Sequence, residues 1–193
     1  MKVANAQTKQ TFMHAARQGR VMHTLVHFDE EFYEDAKASV PIQRAYRQIK
    51  ALLKTKSPDI PTAYATMFPH IPFFELYTND FHAKDDLNDS AVEAPLVQSF
   101  IQQRSISVML ISGYAIGECI DAAVKSALEQ GIIPILIADA TDTVAEPASA
   151  AQKDKDYYIH LFESLVDGNV HVAHVDDVQD WVAELYTDDY MHS

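Results

Sequence analysis

From Val21 onward, apolar runs of strand length alternate with amphipathic segments of helix length. This alternation limits the chain to the α/β class, a parallel sheet covered by helices on both faces. The first strand is read at Val21 to Phe28. A helix from about Pro41 to Lys54 follows, with Ile42, Ala45, Tyr46, Ile49, Leu52 and Leu53 on one face and Pro41 in the tolerated first turn. The second strand lies near Thr62 to Met67, after the breaker Ser57-Pro58-Asp59. Pro69, Pro72, Asn79-Asp80 and the acidic residues Asp85, Asp86 and Asp89 interrupt any periodicity over 68–94, which reads as loop with short elements.

A helix from about Pro95 to Gln103 leads into the strand Ile106 to Ile111. Glu118 to Gln130 is a helix with Ile120, Ala123, Val124, Ala127 and Leu128 inward, and Gly131 stands at its C-cap. The strand Ile132 to Ala138 carries Pro134 near its start, where a lost N–H does least harm. Ala145 to Ala151 reads as a mobile loop before a helix from Asp154 to Leu165, with Tyr157, Tyr158, Leu161, Phe162 and Leu165 on one side. Asn169 to Val175 is the last strand, and Asp177 to Tyr186 is a closing helix showing Val178, Trp181, Val182 and Leu185.

The 193 residues fit one large domain over 21–193, with 1–20 as a helical N-terminal arm. A formal charge of -13 opposes binding to nucleic acid or to an acidic membrane surface, because both need clustered cations. No apolar run reaches the ~18 residues of a membrane span, and no signal sequence opens the chain, so a cytoplasmic protein is expected. One cysteine excludes an intrachain disulfide framework and fits a reducing compartment.

That cysteine is the chemical centre of the sequence. The stretch from Ile106 to Ala140 is strand, glycine-containing turn, helix, glycine and strand, which puts Cys119 in the first turn of a helix. Unpaired N–H groups and the positive end of the helix dipole stabilise a thiolate there, below the free-thiol pKa of ~8.5. The same N–H groups can hold the oxyanion formed when a thiolate attacks a carbonyl. A lone cysteine is otherwise usually a small buried hydrophobe.

The run Gly113-Tyr114-Ala115-Ile116-Gly117-Glu118-Cys119-Ile120, then Ala122-Ala123, Ala127, Gly131 and Asp139-Ala140, resembles the isochorismatase-like hydrolase family. The family pattern is Gly-x-x-Thr-x-x-Cys-Val, an Ala-rich helix, Gly, a strand and Asp-Ala. Ser90-Ala91-Val92 is similar to its Ser-Ala-Phe, and Phe28 to Phe32 to its Asp-x-Gln-x-x-Phe. The resemblance spans roughly residues 20 to 186. It implies a three-layer, Rossmann-like α/β/α fold with a six-stranded parallel sheet. It also implies an Asp-Lys-Cys triad that hydrolyses amides or related bonds.

Aligning Phe32 with the family's Phe places His27 at the triad's Asp position and Asp29 two residues later. Residues i and i+2 share a strand face, and either an imidazole or a desolvated carboxylate can take a thiol proton, so both stay candidates for the base. The triad's Lys position falls on Asp86, and the nearest lysine is Lys84, which either enters the site or stands as a surface lysine in an acidic loop. Ile116 replaces the family's Thr and keeps the backbone N–H. The resemblance implies a cis peptide at Ala115–Ile116, with the Ile116 and Cys119 N–H groups as the oxyanion site. Tyr114 is a candidate substrate contact, while Phe68 and Phe74 read as core.

No Asp-x-His pair stands directly after the second strand, where His70 is alone behind Pro69, and His171 and His174 face opposite sides of their strand, so no metal or other cofactor is expected. With five Gly in the chain and no glycine-rich phosphate loop after a strand, a nucleotide binder is disfavoured. Two readings remain. One is a metal-independent cysteine hydrolase cleaving a C–N bond of a small amide or carbamoyl substrate through a thioester. The other is a degenerate member acting as a binding or assembly module. In either case the resemblance implies a homo-oligomer.

Overall fold

The apolar runs assemble into a six-stranded sheet in the order β3-β2-β1-β4-β5-β6, with every neighbouring pair parallel. The strands are β1 (Val21–Val26), β2 (Thr62–Thr66), β3 (Phe81–Lys84), β4 (Val108–Tyr114), β5 (Ile133–Asp142) and β6 (His171–Ala173). The helices are α1 (Ala6–Ala16), α2 (Val40–Thr55), α3 (Pro95–Arg104), α4 (Cys119–Glu129), α5 (Ala148–Ser164) and α6 (Val175–Met191). A 3₁₀ turn over Ala91–Glu93 precedes α3. The structure is a computed structural model describing residues 6–27, 40–55, 59–66, 80–84, 90–143, 148–164 and 170–191.

Side chains alternate across the pleat, so each central strand feeds two cores. Val21, Leu25, Val108 and Leu110 meet α1, α2 and α6 through Phe12, Ala45, Ile49, Leu52 and Trp181. Met22, Val26, Met109 and Ile111 meet α3, α4 and α5 through Val97, Ile120, Val124 and Phe162. β1 and β4 are buried throughout, as expected for parallel strands covered on both sides. The expected three-layer fold is therefore present.

Three expectations need correction. Residues 81–84 form β3, a strand too short for its alternation to stand out between Asn79-Asp80 and the acidic cluster. The helix expected from Asp154 begins at Ala148, so part of the stretch read as a mobile loop is helical; its alanines are strong helix formers. On that helix Tyr157 is 62% exposed, because it projects away from the line of Lys155, Tyr158 and Phe162.

α1 packs its Phe12 ring 5.1 Å from Trp181 of α6, and Thr8 Oγ1 lies 2.9 Å from Nδ1 of the buried His171 on β6. Burial pulls the His171 pKa below the ordinary histidine value. Ser90 caps the 3₁₀ turn, its Oγ accepting from the Val92 N–H at 3.2 Å, and Ser126 on α4 donates to Glu93 at 2.8 Å. Among the described residues no helix is long and apolar enough to cross a membrane.

Candidate active site

The chain leaves β1 for β2 and β3 on one side, then returns to β4 on the other. The connections therefore diverge between β1 and β4, and in open α/β sheets the ligand crevice lies outside the carboxyl ends at such a point. There the two strands touch closely. Val26 is level with Gly113, whose φ is +112°, and a Cβ on Gly113 would lie 2.1 Å from the Val26 carbonyl oxygen. Only glycine fits.

Cys119 is the first residue of α4 and is half-buried. The turn leading to it is held by backbone bonds. The N–H groups of Glu118 and Ile120 both donate to the Ala115 carbonyl at 3.2 Å, and Gly117 N–H donates to Asp121 Oδ1 at 2.8 Å. Burial raises the Asp121 carboxyl above its ordinary value, against the opposing effect of the Gly117 N–H. Gly117 has φ +88°, and a Cβ there would come within 2.8 Å of the Tyr158 ring of α5. The tyrosine thus lies directly on the turn.

Ile116 N–H donates to the Asp142 carbonyl at 2.9 Å, which commits the amide expected to face an oxyanion. The cis peptide is Tyr114–Ala115, one residue before the expected Ala115–Ile116. A trans peptide points its C=O and N–H in opposite directions, and Ala115–Ile116 uses them so, toward α4 on one side and β5 on the other. Tyr114 is 1% exposed within the core against α1, α2 and α6, which is a packing role and not an open substrate contact.

His27 follows β1 directly and is 5% exposed. Its N–H donates to Ala65 O at 2.8 Å, and its φ of +45° is uncommon for a residue with a side chain. Backbone of this kind concentrates at functional sites. Lys84 ends β3, level with Thr66; since Val26 pairs with Ala65 and Gly113, His27 and Lys84 share one level at the carboxyl edge with β2 between them. Two strand spacings separate those backbones, about 10 Å. The Lys84 side chain, Asp29, Phe68 and Phe74 lie outside the described residues.

Sequence reading missed a charged cluster beside the turn. Asp142 ends β5 level with Tyr114 and is completely buried. Its Oδ1 accepts the Thr143 N–H at 3.0 Å and its Oδ2 accepts from Arg44 Nη2 of α2 at 3.2 Å. Lys155 of α5, 6% exposed, donates from Nζ to Thr141 O at 2.5 Å and lies 4.0 Å from Asp142 Oδ2. Burial lowers the Lys155 pKa; Asp142, Asp139 and Asp156 oppose that fall and Arg44 adds to it. Lys155 was findable, since it is three residues before Tyr158 and seven before Phe162 on the buried helix line.

His174 and His171 do not act together. His174 Nδ1 lies 3.8 Å from Asp139 Oδ1, which also accepts the Val175 N–H at 2.9 Å. Burial pushes Asp139 up, but His174 and the Val175 N–H outweigh it and hold the carboxyl below its ordinary value; bonding to Asp139 in turn raises His174. Among the described residues no group of three or more His, Cys, Asp or Glu side chains is placed to hold a metal ion.

No protein-family model matches the sequence, and no curated protein does. Solved structures match the fold. A cysteine hydrolase from Pseudomonas syringae pv. phaseolicola 1448A aligns with TM-score 0.70 at 13% identity, over 88% of this chain and 95% of that one. An isochorismatase from Pseudomonas putida KT2440 aligns with TM-score 0.68 at 13% identity, over 82% and 90%. N-carbamoylsarcosine amidase from Thermoplasma acidophilum aligns with TM-score 0.60 at 12% identity, over 81% and 97%. The chain has the isochorismatase-like hydrolase fold.

Proposed function

We propose that the protein is a cysteine hydrolase that cleaves a C–N bond of a small amide or carbamoyl compound. The observation that carries this reading is Cys119 at the first residue of α4, beside the β1/β4 divergence and across it from His27. The neighbouring folds named hydrolase, isochorismatase and amidase support a hydrolase.

In this reading the Cys119 thiolate attacks the substrate carbonyl carbon. His27 or Asp29 takes the thiol proton and delivers it to the leaving nitrogen, so the amine departs neutral. Water then attacks the thioester, restoring the thiol and releasing the acid. With the Ile116 N–H engaged by Asp142, the oxyanion relies on the Cys119 N–H at the helix start and on the Lys84 ammonium.

The test is ammonia release from a panel of small primary amides and N-carbamoyl compounds. Wild type is expected to turn over at least one, and Cys119→Ala to lose that turnover about a thousandfold or more while keeping its circular dichroism. Undiminished turnover in Cys119→Ala refutes the assignment. The engaged Ile116 amide favours a second reading, a binding module on the same scaffold. It predicts a Cys119 thiol that iodoacetamide labels no faster at pH 7 than it labels glutathione.

A further inference from the structure

The turn that carries Cys119 takes its shape from its own bonds, but they do not fix its seat on the sheet. The bonds from Gly117, Glu118 and Ile120 all end within residues 115–121. Two of its ties to other elements lead to α5. One is direct, because the phenol end of Tyr158 lies where a Gly117 side chain would stand: a Cβ there would come 2.8 Å from Cε2 and Cζ and 2.9 Å from Oη. The other runs through β5, where Ile116 N–H donates to the Asp142 carbonyl and Lys155 Nζ donates to the carbonyl of the preceding Thr141.

Lys155 and Tyr158 are three residues apart, so one face of α5 reaches both points. Tyr158 is partly buried and, like Cys119, packs against the core around Ile120 and Phe162. Tyr157 stands edge-on to its ring at 79°, with the centroids 5.3 Å apart. Close-packed interiors transmit a displacement instead of absorbing it. The ring therefore limits how far the Gly117 backbone can move toward α5. The proposed chemistry makes that limit matter, because a misplacement of about 1 Å can cost about a hundredfold in rate. The N–H groups and dipole that stabilise a thiolate also act only within the first turn of the helix.

We propose that Tyr158 is a positioning residue for the nucleophile, its ring setting the Gly117 backbone and hence the placement of Cys119 at the start of α4. This rests on Cys119 being the nucleophile, and it adds the element that holds the nucleophile in place. The ring carries the role, and the hydroxyl does not.

Three variants separate positioning from packing. Tyr158→Leu keeps apolar volume near the helix and loses the phenol end that touches Gly117, Tyr158→Phe keeps the ring, and Ile159→Ala removes packing from the same helix and the same core. All three should fold, which circular dichroism checks. Amide hydrogen exchange at Ile116 and Gly117 reads the seat of the turn whatever the thiol does, and the pH profile of iodoacetamide labelling reads the thiol. In wild type the labelling midpoint should lie below the ~8.5 of a free thiol. Tyr158→Leu should speed exchange at both amides about tenfold or more and raise the midpoint by about half a pH unit or more. Tyr158→Phe and Ile159→Ala should leave both readings at their wild-type values. Faster exchange at an unmoved midpoint, equal shifts in Ile159→Ala, or no change in Tyr158→Leu overturns the positioning role. Tyr158→Phe as impaired as Tyr158→Leu overturns the ring in favour of the hydroxyl. A wild-type midpoint at ~8.5 instead overturns the nucleophile, while faster exchange in Tyr158→Leu still marks Tyr158 as the seat of the turn.

Discussion

Two histidines four positions apart, one inside β1 and one just past its end, have opposite surroundings. His23 is completely buried, its Nδ1 3.1 Å from Thr62 Oγ1 and its Nε2 2.7 Å from Ser112 Oγ, which links β2, β1 and β4 through two hydroxyls. His27 follows the end of the same strand in left-handed backbone at the β1/β4 divergence. A histidine whose two nitrogens meet hydroxyls inside a core does the work of a packed polar residue. A histidine held in an uncommon conformation at the crevice has the position expected of a reacting group. The sequence places both on the same strand and does not tell them apart.

Substitutions along this line can break the comparison. The largest effect is expected just beside the strand end, in Gly113→Ala. Its Cβ has no room against Val26, and the strain of positive φ adds to the clash, so stability should fall by about 4 kcal/mol or more in chemical denaturation. His23→Leu should cost about 2–4 kcal/mol by leaving Thr62 and Ser112 without their buried partner. The folded fraction should still label at Cys119 at the wild-type rate; a lost rate would put His23 in the site. His27→Asn should cost less than about 1 kcal/mol, since asparagine tolerates left-handed backbone. It should slow hydrolysis about tenfold to a hundredfold. If only Asp29→Asn slows it, the carboxylate is the base.

The smallest effects are pH slopes, and they contrast two further histidines. His171 lies below the ordinary value of 6.5, so as pH falls through that value the unfolded chain takes a proton the folded chain refuses, and stability drops. His174 lies above 6.5, so its pairing with Asp139 is fully present below that value and is lost as pH rises through the raised one. The lowered Asp139 contributes above its ordinary value of 3.8 and loses this as pH falls through the lowered one. Urea titrations across pH 5 to 8 should show His171→Gln reducing the acid-side loss and His174→Gln reducing the stability held at mildly acid pH. Slopes of the same sign for both variants would contradict the packing described at one of them.

Much of the fold was legible because burial on both sides of a parallel sheet writes itself as apolar runs. β1, β4 and β5 could be read this way, and the capping glycine and alanine-rich face marked α4. β3 could not, because four residues carry too little alternation. The site was legible in its centre and not at its margins. Cys119 follows a local pattern of strand, turn and helix, whereas the Arg44–Asp142–Lys155 cluster joins residues 98 apart and 13 apart only after the layers close. Tyr114 looked available because it adjoins the turn, but alternation along β4 turns it into the core beside Leu110 and Val108.

α1 packs on α6 through Phe12 and Trp181, and Lys9 pairs with Glu184. Grooves along these helices are bordered by Ser107 and Ile133 and by Ile60 and Pro61, residues that lead into β4, β5 and β2. The first and last described helices thus meet around the amino edge of the sheet, opposite Cys119. A tether joined at either of these helices would turn the crevice away from a solid support. Immobilised protein or a fusion partner attached there should leave reagents the same access to the thiol as in free solution.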